Sequence, residues 1–170
     1  MYCDESGVTT SLTRLYGRSQ GGERIREGTP GGRWEVLTLL GALSLRGVQA
    51  LMTIASPTDG DIFLAFVDRV LGPTLRPDDV VVIDNLSAHK VAGVREAVER
   101  RGARLLYLPP YSPDLNPIEK AWSKLKTTLR SLKARSDQAL QDAISQALPC
   151  ITAGDAAAWF RGCGVSLQHH

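Results

Sequence analysis

The chain contains little of what would tie it to a membrane, to a disulfide framework or to a cysteine-based metal site. Only three of its 170 residues are cysteines, and Cys3, Cys150 and Cys163 are odd in number and have no metal-binding spacing. We therefore expect reduced thiols in a cytoplasmic protein. No apolar run approaches the ~20 residues of a membrane-spanning helix, and no signal peptide is visible, so we expect no membrane partner.

The net charge is also small, at +2, but the charged residues are unevenly spread. Residues 14–33 contain five arginines against two glutamates, and residues 120–135 contain six cations and no acid. The second group consists of Lys120, Lys124, Lys126, Arg130, Lys133 and Arg135. Such stretches are typical of a surface that binds the phosphate backbone of nucleic acid, although a solvated helix face has the same composition.

What the chain does have is the composition of one globular domain, with a hydrophobic share of 43%. We place this domain at residues 1–148 and a C-terminal tail at 149–170. The patterns predict strands at 1–4, 34–45, 48–55, 80–83 and 104–108, with a further strand leading into a loop within 11–32. They predict helices at 59–71, 90–101, 119–133 and 136–148, the last of them capped by Ser136. This order predicts an α/β architecture, a mixed sheet flanked by helices.

The most informative segment of the chain is residues 105–126. A short apolar run at 105–108 reads as a buried strand, and the prolines that follow it form a rigid turn that excludes helix. A helix then begins near Pro117, where proline suits the first turn, with Asn116 as its expected N-cap. Glu119 lies in that first turn. The segment can therefore hold one carboxylate rigidly at the end of a strand.

Two further acids stand beside predicted strands. The β-branched run at 80–83 is typical of a strand buried on both faces, and Asp84 follows it directly, where α/β sheets place their ligands. Near the start of the chain, Asp4 and Glu5 follow the apolar residues at 1–3 and precede a glycine turn. The pattern thus supplies three carboxylates on separate elements, with Asp4 and Glu5 competing for one of the places.

These blocks resemble the catalytic domain of the DDE transposases, in the branch of bacterial insertion-sequence transposases related to the mariner-like elements. The blocks are Asp4 to Gly7, Asp84 to Lys90 and Pro109 to Glu119, and the last is the most specific. The resemblance extends from the first residue to about residue 148. It implies a ribonuclease H-like fold and an enzyme that cuts DNA and transfers its strands during transposition.

The resemblance also implies a metal centre and partners. Asp4, Asp84 and Glu119 would hold two Mg²⁺ ions, with Mn²⁺ as a substitute, Asp84 bridging the pair and each of the others completing the shell of one ion. Two such ions ~3.5–4 Å apart can neutralise a phosphodiester, activate the nucleophile and stabilise the leaving oxygen. The expected partners are the DNA of the element ends and the target. A second copy of the chain or a separate DNA-binding transposase subunit is also expected.

Other residues are candidates for contacts with DNA. The basic helix offers Lys120, Lys124, Lys126 and Arg130 to the phosphate backbone. His89 could contact DNA or cap the helix that it begins. Asn85 could orient a phosphate or a metal-bound water, or form a turn.

Two functions of different classes follow from the sequence. The intact acids favour an active transposase catalytic domain. The second is a non-catalytic, truncated remnant that binds DNA or full-length transposase. Only Met1, Tyr2 and Cys3 precede Asp4, which favours this remnant. The helix-turn-helix region that family members carry before this domain is also absent, so the chain looks like a catalytic half. A first strand this short would also make the fold marginally stable.

Overall fold

A five-stranded mixed sheet forms the centre of the protein. The structure, a computed structural model, describes residues 1–28, 31 and 34–165, so Arg33 of the first basic stretch lies outside the described residues. The strand order is β3-β2-β1-β4-β5. Strands β1, β2 and β3 are antiparallel neighbours, and β1, β4 and β5 run parallel. The strands are β1 (Tyr2–Thr9), β2 (Val36–Ser44), β3 (Gly47–Ile54), β4 (Val80–Ile83) and β5 (Arg104–Tyr107).

The central strand is longer than the sequence predicts. We expected a stub at residues 1–4, and this is wrong, since β1 runs for eight residues. It pairs with β2 along its whole length, from Tyr2 opposite Leu43 to Thr9 opposite Val36. The sequence does not predict the second half of β1 as strand, because it is polar, contains a glycine and lacks the apolar pattern of a buried strand. The physical reason for expecting a marginally stable fold therefore disappears.

Helices cover both faces of the sheet. They are α1 (Gly60–Phe66), α2 (Val94–Glu99), α3 (Ile118–Leu132), α4 (Asp137–Ala147) and α5 (Ala153–Gly162). A π-helical turn at Val67–Leu71 extends α1 to the predicted end of that helix. The helix predicted at 90–101 begins later, because Gly93 has a left-handed φ of 96° and precedes its first turn. The strand predicted within 11–32 is wrong, since the described residues there form none.

The two faces of the sheet bury separate cores. Side chains alternate between the faces of a strand, so Cys3 and Val8 of β1, an odd number of residues apart, pack on opposite sides. The first core lies under α1 and α2 and includes Phe63, Phe66, Val94 and Val98. The second lies under α3, α4 and α5 and includes Trp122, Leu125, Leu140 and Ile144. None of the helices in the described part of the chain is long and apolar enough to cross a membrane.

A close contact fixes α3 over the middle of the sheet. Gly41 of β2 lies opposite Asp4 of β1, and the indole of Trp122 packs directly on it. A Cβ at residue 41 would lie 2.5 Å from Cη2 of Trp122, so only glycine permits this approach. Since Trp122 lies one helical turn after Glu119, the contact also holds the first turn of α3 near Asp4.

The segment predicted as a tail contains α5. Thr152 and Asp155 form a capping box at its start. Phe160 is 4% exposed and meets Tyr2 of β1 edge to face, with 5.3 Å between the ring centres. Residues 153–162 therefore pack on the sheet, whereas 166–170 lie outside the described residues. The division of the chain at residue 148 stays a prediction.

Candidate active site

Asp4, Asp84 and Glu119 line one pocket of about 380 Å³. In the parallel pairing of β1 with β4, Cys3 lies opposite Ile83, so the next residues, Asp4 and Asp84, are neighbours. Glu119 reaches the same place from the first turn of α3, which packs on β1. The rest of the lining comes from Asn85, Leu86, Leu108, Pro109, Pro110, Tyr111, Ser112, Pro113 and Asn116. The structure thus brings the three predicted acids together.

Asp4 is the most buried of the three, with 5% of its surface exposed. Its Oδ1 accepts a hydrogen bond from the backbone N–H of Glu5 at 2.8 Å, and its Oδ2 accepts one from Nδ2 of Asn116 at 3.2 Å. Burial, followed by the negative charges of Glu119 and Asp84, raises the pKa of Asp4 to about 7. Hence Asp4 holds a proton for part of the time at neutral pH, and a bound cation would displace that proton.

Asp84 is held in place from two sides. Its Oδ1 accepts a hydrogen bond from the backbone N–H of Leu86 at 3.2 Å and also contacts Nδ1 of His89. Burial alone would raise the pKa of Asp84, but the hydrogen bond and charge of His89 and the Leu86 N–H outweigh it and lower the pKa. Asp84 is therefore ready to act as an anion at the end of β4.

His89 is fully buried, with 0% of its surface exposed. Its ring stacks on Phe63 with 4.0 Å between the ring centres, and its Nδ1 faces Asp84. A ring that is fully buried does not reach DNA, so the structure does not support the predicted DNA contact of His89. His89 instead lies inside the protein, between Phe63 and Asp84. Asn85, in contrast, is half-buried and lines the pocket itself.

The competition between Asp4 and Glu5 is decided by the alternation along β1. Neighbouring residues of a strand point to opposite faces of the sheet. Asp4 lines the pocket with Asp84, whereas Glu5 lines a different pocket with Ser6 and Thr38. The geometry therefore favours Asp4 as the partner of the other two acids.

The predicted role of Asn116 is wrong. We expected it to cap α3, but its side chain makes no capping hydrogen bond and reaches across to Asp4 instead. The N-cap position of α3 is Pro117, and the helix starts with Ile118. The only sign in the sequence is that Asn116 directly precedes a proline, which holds its backbone extended.

The oxygen-rich lining fits a hard divalent cation. Mg²⁺ and Mn²⁺ prefer a few carboxylate oxygens together with water, and Asp4 is a buried acid that has no cationic partner within the described residues. No group of three His, Cys, Asp or Glu side chains in this part of the chain is already close enough to share an ion. Of the three acids that line the pocket, Glu119 is the exposed one.

The basic residues of segment 120–135 divide into two sets. Lys124 binds Asp155 of α5 at 2.7 Å, Lys133 pairs with Glu27, and Arg135 donates hydrogen bonds to the backbone of Thr10 and Leu12. These three hold the fold together. The second set, with no ion pair inside the described part of the chain, is Lys120, Lys126 and Arg130.

Helical spacing places Lys126 and Arg130 on the side of α3 that carries Glu119. At 3.6 residues per turn, positions seven and eleven residues after Glu119 return to nearly the same direction. Lys120 lies about a quarter of a turn away. The two cations therefore lie on the same side of the helix as Glu119.

The chain is similar to known proteins along most of its length. A family model described as "DDE superfamily endonuclease" matches residues 1–141. Residues of the chain are 41% identical, over 56 positions, to the Transposable element Tc1 transposase of Caenorhabditis elegans. That match covers 33% of this chain and 20% of the relative.

Solved structures of the Mos1 transposase share the fold. The paired-end complex with the left transposon end has a TM-score of 0.73 at 17% identity and matches 96% of this chain and 50% of that one. The catalytic domain of the Mos1 mariner transposase has a TM-score of 0.62 at 14% identity and matches 96% and 74%. These similarities confirm the predicted ribonuclease H-like fold. The chain spans one fifth of the curated relative and about half of the Mos1 chain in the complex.

Proposed function

The chain belongs to the DDE superfamily endonuclease family, and we propose that it is the catalytic domain of a transposase that cleaves DNA and transfers its strands in a reaction that needs divalent metal. The single observation that carries this proposal is the shared pocket of Asp4, Asp84 and Glu119. Two solved structures of the same fold, the Mos1 mariner paired-end complexes with Mn and with Mg, support the choice of metal.

We assign the metal-holding role to the three acids, Asp4, Asp84 and Glu119, which together would hold the two ions. When bound, the ions would offset the charge of the scissile phosphate and lower the pKa of the attacking water or 3′-hydroxyl. Asp84 is suited to this role because it lies at the end of β4, next to Asp4, and because His89 and the Leu86 N–H lower its pKa.

Lys126 and Arg130 are proposed to hold the DNA backbone as it approaches the acids, with Lys120 at the side of the helix. Each phosphate contact releases a counterion, so this binding would fall steeply with salt and carry little sequence preference. Asn85 lies in the pocket itself, where its amide can orient the scissile phosphate or a water.

The proposed partners are the DNA of the element ends and of the target, and a second transposase subunit. The Mos1 structures include a paired-end complex and a strand-transfer complex, which supports an assembly on paired ends for this chain. A DNA substrate and free cysteines fit the cytoplasmic location predicted from the sequence.

The alternative function, a non-catalytic remnant, has lost its main support. It rested on the expectation of a short first strand, and β1 pairs with β2 along its whole length. A decayed copy also loses metal ligands as readily as other residues, yet all three acids are present and face one pocket.

The proposal is tested by incubating the protein with supercoiled plasmid in the presence of Mg²⁺ or Mn²⁺. We expect nicked circles that disappear with EDTA and with Asp84→Asn. A chain that binds Mn²⁺ but leaves the plasmid intact under all conditions would count against catalysis and revive the remnant.

A further inference from the structure

Asn116 connects the central strand to the start of α3. It is 5% exposed, and its Nδ2 donates to Oδ2 of Asp4 at 3.2 Å, across 112 residues of sequence. This is the side-chain hydrogen bond that joins Asp4 to the turn before the helix. A buried amide in this place has to be explained, because asparagine is mostly found at the surface.

The backbone of Asn116 is fixed independently of its side chain. Its N–H donates to the carbonyl of Pro113 at 3.0 Å, and its carbonyl accepts from the N–H of Glu119 at 3.2 Å. Pro117 follows it, and Ile118 anchors the turn in the core with 2% exposure. The amide is therefore aimed at Asp4 from a rigid position, and capping of α3 does not require it.

The other end of the amide has no partner. Oδ1 of Asn116 is buried, and no donor within the described residues reaches it. A buried acceptor without a partner is costly, so such an atom usually meets a water or a ligand. Asn116 lines the pocket of the three acids. A donor located in this pocket would complete its hydrogen bonds.

We propose that Asn116 is a positioning residue for metal binding. Its side-chain Nδ2–H fixes the plane of the Asp4 carboxylate relative to Glu119, and its side-chain Oδ1 receives a water or hydroxyl in the pocket. This inference rests on the proposed function. Both oxygens of Asp4 already accept one N–H each, from Glu5 and Asn116. A carboxylate oxygen has a second lone pair, so each one can still bind a cation in the orientation that these donors set.

The expected effect follows from what outer hydrogen bonds do at metal sites. Loss of a group that orients a ligand usually weakens metal binding by ~10–100-fold. Because Asn116 would touch neither the nucleic acid backbone nor α3's cations, its loss should leave DNA affinity nearly unchanged. A residue that merely fills space would lower the melting temperature without changing the metal requirement.

The experiment compares Asn116→Ala with Leu115→Ala, a control in the same turn whose side chain is 42% exposed and lies outside the pocket lining. Mn²⁺ affinity is measured on the DNA-free chain by electron paramagnetic resonance of unbound Mn²⁺. Plasmid nicking is then followed against Mn²⁺ and against DNA. Asn116→Ser replaces the alanine variant if the latter does not fold.

For Asn116→Ala we expect Mn²⁺ affinity to fall by at least tenfold and the Mn²⁺ concentration for half-maximal nicking to rise by the same factor. The rate at saturating Mn²⁺ and the KM for DNA should stay close to those of Leu115→Ala. A variant that binds Mn²⁺ as tightly as Leu115→Ala would overturn the positioning role while leaving the proposed function intact. Failure of the unmodified chain to bind Mn²⁺ at all would reject the proposed function and this inference together.

Discussion

Replacing Asp4 with Asn should stabilise the metal-free protein at pH 8 and remove its response to divalent metal. The pKa of Asp4 is raised from 3.8 to about 7, first by burial and then by Glu119 and Asp84. Each pH unit corresponds to ~1.4 kcal/mol, so ionised Asp4 costs the folded state about 4 kcal/mol at pH 8. This is a large part of the ~5–15 kcal/mol that stabilises a typical domain.

The direction of the pH dependence follows from proton uptake. Between pH 4 and pH 7 the folded chain keeps the Asp4 proton, whereas the unfolded chain has released it. The free energy of unfolding therefore falls as pH rises through this window and levels off above about pH 7. Below pH 4 both states hold the proton, and the contribution of Asp4 no longer changes.

The assay is thermal unfolding in EDTA from pH 5 to pH 8. At ~2–4 °C per kcal/mol for a protein of this size, Asp4→Asn should melt ~8–16 °C above the unmodified chain at pH 8 and show a smaller gain at pH 5. Asp142→Asn, which removes an exposed acid of α4, should give no pH-dependent gain.

Divalent metal should narrow this difference in stability. Mn²⁺ at a hundredfold excess over its Kd stabilises a protein that binds it by ~2.7 kcal/mol, and Asp4→Asn should gain much less because one ligand is neutral. The reasoning would be refuted if Asp4→Asn showed the same melting profile across pH as the unmodified chain. It would also be refuted if Mn²⁺ stabilised both chains equally.

The remaining predictions concern the other parts of the site. Asp84→Asn should abolish plasmid nicking while circular dichroism shows a retained fold, because the amide keeps the shape but loses the charge. Lys126→Glu combined with Arg130→Glu should weaken binding to unrelated duplexes about equally and reduce the slope of affinity against salt, as measured by fluorescence anisotropy. Gly41→Ala should lower stability by ~1–3 kcal/mol in urea titrations, because the new methyl group meets Trp122.

Matched controls separate these effects from general damage. Arg69→Glu combined with Arg100→Glu makes the same change of charge beside α1 and α2, on the opposite face of the sheet, and should leave DNA affinity closer to that of the unmodified chain. Gly7→Ala adds a methyl group in β1, where no atom lies within 4 Å, and should cost little. Equal losses in test and control variants would contradict the assigned contacts.

Much of the site was predictable because it depends on local patterns. The β-branched run before Asp84 and the proline block before Glu119 define strand ends and a helix start within a few residues. The parallel arrangement of β1, β4 and β5 then brings Asp4 to Asp84. Each of these patterns spans only a few neighbouring residues, so it can be recognised in a single sequence without a structure.

The features that were missed depend on contacts between distant segments. The second half of β1 is polar and is held by its ladder with β2, not by its own composition. The side chain of Asn116 could cap a helix or reach Asp4, and only the three-dimensional position of Asp4 decides between them. The ion pair of Lys124 with Asp155 of α5 likewise joins two separate segments, and the composition of α3 alone does not indicate it.

The most direct test of the central claim is anomalous diffraction at the manganese edge from crystals of this chain soaked in Mn²⁺. We predict two peaks ~3.5–4 Å apart between the carboxylates of Asp4, Asp84 and Glu119, with Asp84 in contact with both. Manganese bound only outside this pocket, or a pocket that stays empty at saturating Mn²⁺, would contradict the account.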